Sequence, residues 1–257
     1  MSTLNVTIVQ TGLLWQNAAG NRQHFTTIIE DLQKPTDLIV LPEMFTTGFS
    51  MDAAELAETM DGDSVTWMRD MAASSNAAVC GSLIIADNQQ YFNRFICASA
   101  AGDLQCYDKR HLFRLADEHS HYAAGTELLT FNLQDFRICP MVCYDLRFPV
   151  WSRNCGLYDL LLYVANWPDR RHHAWATLLR ARAIENLSYV AGVNRTGTDG
   201  NNISYSGGSS IIDFLGEDLA NLGDHAGTAS AELDLEKLTA FRDRFAFHED
   251  ADSFAIT

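Results

Sequence analysis

The sequence predicts an α/β protein with mixed sheets. Two observations carry this: short apolar, β-branched runs recur along the whole chain, and between some of them apolar residues return at helical spacing. The runs are nearly continuous in hydrophobicity, as strands buried on both faces are.

In order, LNVTIVQ (4–10) reads as a strand, and NRQHFTTIIEDLQ (21–33) as a helix with Phe25, Ile28, Ile29 and Leu32 on one face. TDLIVLPE (36–43) is the next strand. DSVTWMRDMAASS (63–75) is a helix with Val65, Met68, Met71 and Ala72 inward and Asp63 or Ser64 as N-cap. AAVCGSLIIA (77–86), YFNRFICASA (91–100) and LQCYDK (104–109) form a hairpin-rich middle, with a turn at AAGD (100–103). LTFNLQDFRICPMVC (129–143) and YDLLLYVANW (158–167) are further strands. HAWATLLRARAIENL (173–187) aligns Trp175, Leu178, Leu179 and Ile184 as a helix before the strand SYVAGVNR (188–195). Turns at TDGN (198–201) and FLGED (214–218) flank YSGGSSIID (205–213), and GTASAELD (227–234) precedes a final short helix. No linker, repeat or low-complexity segment interrupts the order, so one domain over 1–257 is expected.

Composition narrows the function classes. The chain is 47% hydrophobic and 20% charged, which is ordinary globular usage. A net charge of −15 leaves no basic patch to replace phosphate counterions, so neither nucleic acid nor anionic membrane is expected as a partner. Small-molecule substrates are. The longest apolar runs, such as LLLYVA, are too short to span a bilayer, and MSTLNVTIVQ has no secretory-signal pattern. A cytoplasmic location is the expectation. The cysteines at 80, 97, 106, 139, 143 and 155 form no CxxC pair, and are expected to be reduced thiols. Cys80, Cys97 and Cys139 lie in apolar runs and read as core.

Sites in α/β sheets form beyond the carboxyl ends of strands. The residues ending the apolar runs include Glu43, Lys109, Cys143, Asn166, Asn194 and Arg195. Any one of these can mark a surface turn. Glu, Lys and Cys together supply a base, a cation and a nucleophile. A thiol needs a lowered pKa or an adjacent base to attack. A carboxylate can take its proton and return it to a departing amine, and an ammonium can stabilise the oxyanion. After Cys143, YDLRFPVWSRN reads as a tight turn into a short helix, whose backbone N–H groups add oxyanion donors.

LPEMFTTGF, YDKRHLF, VCYDLRFP and the ANWP…HW…ARAIEN…VNR series resemble the nitrilase (carbon–nitrogen hydrolase) superfamily, in collinear order from about residue 4 to 250. They are most similar to its omega-amidase branch, whose members hydrolyse terminal amides of 2-oxo acids. The resemblance implies a four-layer αββα sandwich, a catalytic Glu43, Lys109 and Cys143, no cofactor, and a homodimer or larger homo-oligomer. It also implies a second glutamate after the lysine motif, which ADEHSHYAAG supplies as Glu118, with Asp117 the competitor. Arg147 has two readings: it holds a substrate carboxylate, as in some family members, or it pairs with Asp145 or a backbone carbonyl to brace the turn. Phe45, Tyr144 and Trp167 flank the strand ends and either line the pocket or belong to the core. His111, His121 and the pair His172 and His173 stand at no metal-ligand spacing, so no metal is expected.

The expected reaction is cofactor-free hydrolysis of 2-oxoglutaramate or 2-oxosuccinamate to acid and ammonia, through a Cys143 thioester. The rival substrates are an N-carbamoyl compound, deaminated glutathione or a nitrile. From other classes, the rivals are a non-catalytic binding module and a redox sensor at Cys143, the latter lacking an evident resolving cysteine.

Overall fold

The computed structural model describes residues 2–156 and 158–256. Strand β1 (Thr3–Gln10) leads to helix α1 (Ala18–Glu30) and strand β2 (Leu38–Val40). Helices α2 (Ala53–Leu56) and α3 (Asp63–Ser75) precede β3 (Ala78–Asp87), β4 (Gln90–Ala98) and β5 (Leu104–Asp108). A single helical turn, α4 (Glu118–His121), comes before β6 (Phe131–Leu133), β7 (Phe136–Val142) and β8 (Leu160–Val164). Then follow α5 (His172–Asn186), β9 (Tyr189–Val193), β10 (Thr196–Thr198), β11 (Ser204–Ser206) and β12 (Ser210–Ile212). Strands β13 (Asp218–Asn221) and β14 (Gly227–Asp234) and helix α6 (Leu235–Arg244) close the series.

Among the described residues these strands form two six-stranded mixed sheets and a two-stranded ribbon, β10–β11. The first sheet runs β14-β1-β2-β3-β4-β5, with β1, β2 and β3 parallel and the remaining pairs antiparallel. The second runs β13-β12-β9-β8-β7-β6, with β7, β8 and β9 parallel.

The two-residue period of a strand sorts the first sheet into two faces. Leu4, Val6, Ile8, Leu38, Val40 and Cys80 turn towards the second sheet and share one core with it. Val9, Ile39 and Val79 turn the other way, onto Phe25 and Ile29 of α1 and Val65 and Met68 of α3. The second sheet is buried throughout its centre, β8 having no exposed residue. Helix α5 packs on it through Trp175, Leu179 and Ala183. The helix lies so close that a Cβ on Gly192 of β9 would stand 2.4 Å from Leu179. The layers are therefore helix, sheet, sheet, helix, as the resemblance implies.

Several expectations change. The run 129–143 is a hairpin, broken at Gln134 (φ 52°), and 205–213 splits into β11 and β12 at Gly207 and Gly208, both at positive φ. Chain 214–218 turns as expected, but β13 then pairs with β12. The strand expected over 36–43 ends at Val40, because Pro42 has no N–H to donate and Met44 lies at φ 42°. The N-cap of α3 is Gly62 rather than Asp63 or Ser64. The Glu58 carboxylate accepts the Ser64 N–H at 2.7 Å and replaces a side-chain cap.

Leu162, fully buried in β8, is a test of the shared core. Leu162→Ala is expected to cost about 2–5 kcal/mol, read from the urea midpoint.

Candidate active site

The three strand ends meet. Glu43 lies three residues past β2, Lys109 directly follows β5 and Cys143 directly follows β7. Glu43 is 0% exposed and Lys109 1%, so both charges need partners. They find each other: the Lys109 ammonium donates to Glu43 Oε1 at 2.9 Å and to both Glu118 oxygens at 2.9 and 3.0 Å.

Asn93 completes this cluster, donating from Nδ2 to Glu43 Oε1 at 2.7 Å and to Glu118 Oε1 at 3.3 Å. Ser82 donates to Asn93 Oδ1, which sets the amide's orientation, and accepts the Met44 N–H. The remaining Glu43 oxygen accepts the backbone N–H of Asn166 at 2.8 Å. Glu118 belongs to α4, whose segment is held down where Gly125 donates its N–H to Lys109 O. A Cβ on Gly125 would stand 2.0 Å from Asp108 O, so only glycine fits there. Asp117, the competing acid, points away and accepts from Ser120.

Cys143 stands on a strained turn. Its φ is 46°, a left-handed value that costs a non-glycine residue on the order of 1 kcal/mol or more, and it begins a 3₁₀ turn over Cys143–Arg147. Asp145, fully buried, holds the turn. Its carboxylate accepts the Val142 N–H at 3.0 Å, the Tyr107 hydroxyl at 2.8 Å and the His111 N–H at 2.9 Å. His111 Nδ1 lies 2.7 Å from the same carboxylate, and its ring stacks on Phe148 at 3.8 Å between centroids. His111 is part of this brace.

The charges explain the thiol. Two glutamates around one lysine leave a formal negative excess, and a thiolate would add to it. Burial, then the Glu43 charge, push the Cys143 thiol well above its ordinary value against the opposing pull of Lys109. Burial opposes the charge on Lys109, yet Glu118 and Glu43 outweigh it and keep the group protonated. Burial raises the Glu118 carboxyl against the lowering effect of Lys109. Protein atoms crowd the thiol, but the residue keeps a surface open to a cavity of about 430 Å³ that Lys109 and Asn166 also line.

A model of the carbon-nitrogen hydrolase family matches residues 5–243, nearly the whole chain. The chain is a carbon–nitrogen hydrolase. It is 49% identical to the omega-amidase YafV of Yersinia enterocolitica, with all of both chains covered. It is 37% identical to the 2-oxoglutaramate amidase of Bacillus subtilis, over 86% of this chain and 87% of that protein. Among solved structures, the CN-hydrolase superfamily protein XC1258 of Xanthomonas campestris superposes with a TM-score of 0.97 at 46% identity, covering both chains completely. That protein carries an arsenic adduct in its active site.

In this hydrolase Tyr144, Arg147 and Trp167 line the cavity. Phe45 does not. It is fully buried on the helix side of the first sheet, its ring against Phe25 and Trp67. The left-handed Met44 breaks the strand alternation between Glu43 and Phe45, so proximity in sequence does not put both on one side. The pairing of Arg147 with Asp145 does not form, because Asp145 is taken by Val142, Tyr107 and His111. The Arg147 guanidinium lies over the Trp167 ring, 4.9 Å from its centroid.

Sequence reading missed Asn93, and it named Asp145 as a brace of the turn but with the wrong partner. Asn93 did leave a signal, as an amide inside the apolar run YFNRFICASA, where burial demands partners. For Asp145 no spacing along the chain points to Tyr107 and His111 as its partners.

Because an acid with a raised pKa keeps its proton to higher pH, Cys143 is expected to remain a thiol up to pH 9.0, the ordinary thiol value. The check is the ultraviolet thiolate band, taken as wild type minus Cys143→Ala across a pH titration. A band already present at neutral pH would contradict this.

Proposed function

We propose that this hydrolase cleaves the terminal carboxamide of a small 2-oxo acid amide, 2-oxoglutaramate or 2-oxosuccinamate, to the acid and ammonia. The observation that carries the proposal is that Cys143 and Lys109 line one cavity while Glu43 and Glu118, buried behind them, both accept from Lys109. The similarity to omega-amidases names the substrate class.

The steps follow from the geometry. The thiol begins protonated, under the influence of the Glu43 charge, so proton removal accompanies attack on the amide carbon. The carbonyl π electrons move onto oxygen. The Lys109 ammonium and the Tyr144 N–H, at the start of the turn, stabilise that oxyanion. Glu43 returns the proton to nitrogen, the C–N bond breaks, and ammonia leaves a thioester on Cys143. Glu43 then takes a proton from water, which attacks the thioester carbon; the C–S bond breaks, the acid is released, and Glu43 returns the proton to the Cys143 sulfur. Glu118 positions Lys109 by accepting from its ammonium with both carboxylate oxygens.

The same reading takes residues 1–257 as one domain that works in the cytoplasm as a homodimer or larger homo-oligomer. Among the described residues no helix is long and apolar enough to cross a membrane.

The test is ammonia release from a panel of 2-oxo amides, N-carbamoyl compounds and nitriles. The 2-oxo amides are expected to give the highest kcat/KM, and Cys143→Ala to abolish turnover. Glu43→Gln is expected to lower kcat by about 10²–10⁴. Unchanged turnover in folded Cys143→Ala overturns the mechanism, and a preference for another compound class overturns the substrate.

A further inference from the structure

The wall of the cavity carries three arginines, Arg147, Arg170 and Arg171, in a protein of net charge −15. None of the three guanidiniums makes an ion pair or hydrogen bond among the described residues. The two acids on the same wall do not serve them. Asp199 accepts from the N–H groups of Asn201 and Ile203 and from the Tyr205 hydroxyl, and Asp52 accepts from Gln16.

Two of these cations are held in place without being neutralised. Arg147 lies over Trp167 at 4.9 Å, and Arg171 lies over Phe113 at 5.0 Å. Both rings line the cavity, and the Trp167 indole donates to Arg171 O at 2.8 Å, tying the two supports together. An aromatic face orients a guanidinium and leaves its in-plane N–H groups free for a carboxylate. Arg171 is half-buried, and burial, then the charge of Arg170, then that of Arg147, work against its own charge. A bound anion would relieve both penalties. Arg170 is exposed at the mouth and adds to the field that draws anions in.

We propose that Arg171, together with Arg147, forms a two-guanidinium clamp for the carboxylate at the far end of the substrate, and that Arg171 thereby makes the enzyme selective for anionic over neutral amides. This rests on the reading that Cys143 attacks a terminal amide at the cavity floor. Arg171 acts at the distal end only and takes no part in bond making, so its removal weakens binding of the anion without disabling the thiol.

The experiment compares 2-oxoglutaramate with pentanamide, a neutral amide of the same carbon number, for wild type, Arg171→Met and Arg171→Lys. The ratio of kcat/KM for the two substrates is expected to fall about 10- to 100-fold in Arg171→Met, mainly through KM for the anion. Arg171→Lys, which keeps the charge but loses the fork and the stacking, is expected to fall between. An unchanged ratio, or equal losses on both substrates, overturns the clamp. Calorimetric titration of 2-oxoglutarate into Cys143→Ala, with and without Arg171→Met, keeps the two proposals apart. If no amide is hydrolysed but 2-oxoglutarate binds and the arginine variant weakens it about 10-fold or more, the amidase reading fails and the clamp stands. If it binds equally with and without Arg171, or not at all, the clamp fails whatever the activity.

Discussion

The constraint on which the site depends is the burial of one ammonium between two carboxylates. Taking these charges out of water costs several kcal/mol for each ion, and the cost is offset only when each is closely paired and hydrogen-bonded. Lys109 therefore has to reach both Glu43 and Glu118, and the residual lone pairs must go to Asn93, to the Asn166 N–H and to the Phe113 N–H. Those partners come from β4, from the end of β8, and from the loop between β5 and α4. One electrostatic requirement thus pins both sheets to each other at their carboxyl ends.

A second requirement sits beside it. The nucleophile must protrude from a buried strand towards this cluster, and it does so through a left-handed φ at Cys143. Such a conformation persists only where surrounding contacts over-determine it. Asp145 supplies them, binding the residue before the cysteine, a tyrosine on β5 and the His111 loop at once. The elbow and the lysine strand are in this way fastened to the same carboxylate. The thiol then meets an environment that favours its neutral form, and the adjacent glutamate is what makes attack feasible. The distal wall has the opposite character, with cations held on aromatic faces and no ion pair to them among the described residues.

Much of this was legible before any coordinates. The strands and the three long helices follow from periodicity, and α3 is found at 63–75 as expected. The strand-end residues Glu43, Lys109 and Cys143 were identifiable because charged or reactive groups at the ends of apolar runs are conspicuous. Boundaries failed where a single backbone angle decided them, at Gln134, at Gly207 and Gly208, and after Val40. Phe45 was misplaced because linear proximity to Glu43 carries no information about facing once Met44 leaves the strand conformation.

What the sequence by itself determined is the alternation of elements, the chemistry available at their ends and, through its motifs, the family. Those rest on local quantities: residue type, spacing and the two- and 3.6-residue periods. Only the tertiary structure decided that Lys109 bridges two glutamates, that Asp145 belongs to the elbow rather than to Arg147, and that Arg147 and Arg171 face one cavity. Each of these joins residues from separate strands or loops, and the free energy of a charge depends on what surrounds it in space, which no spacing along the chain encodes.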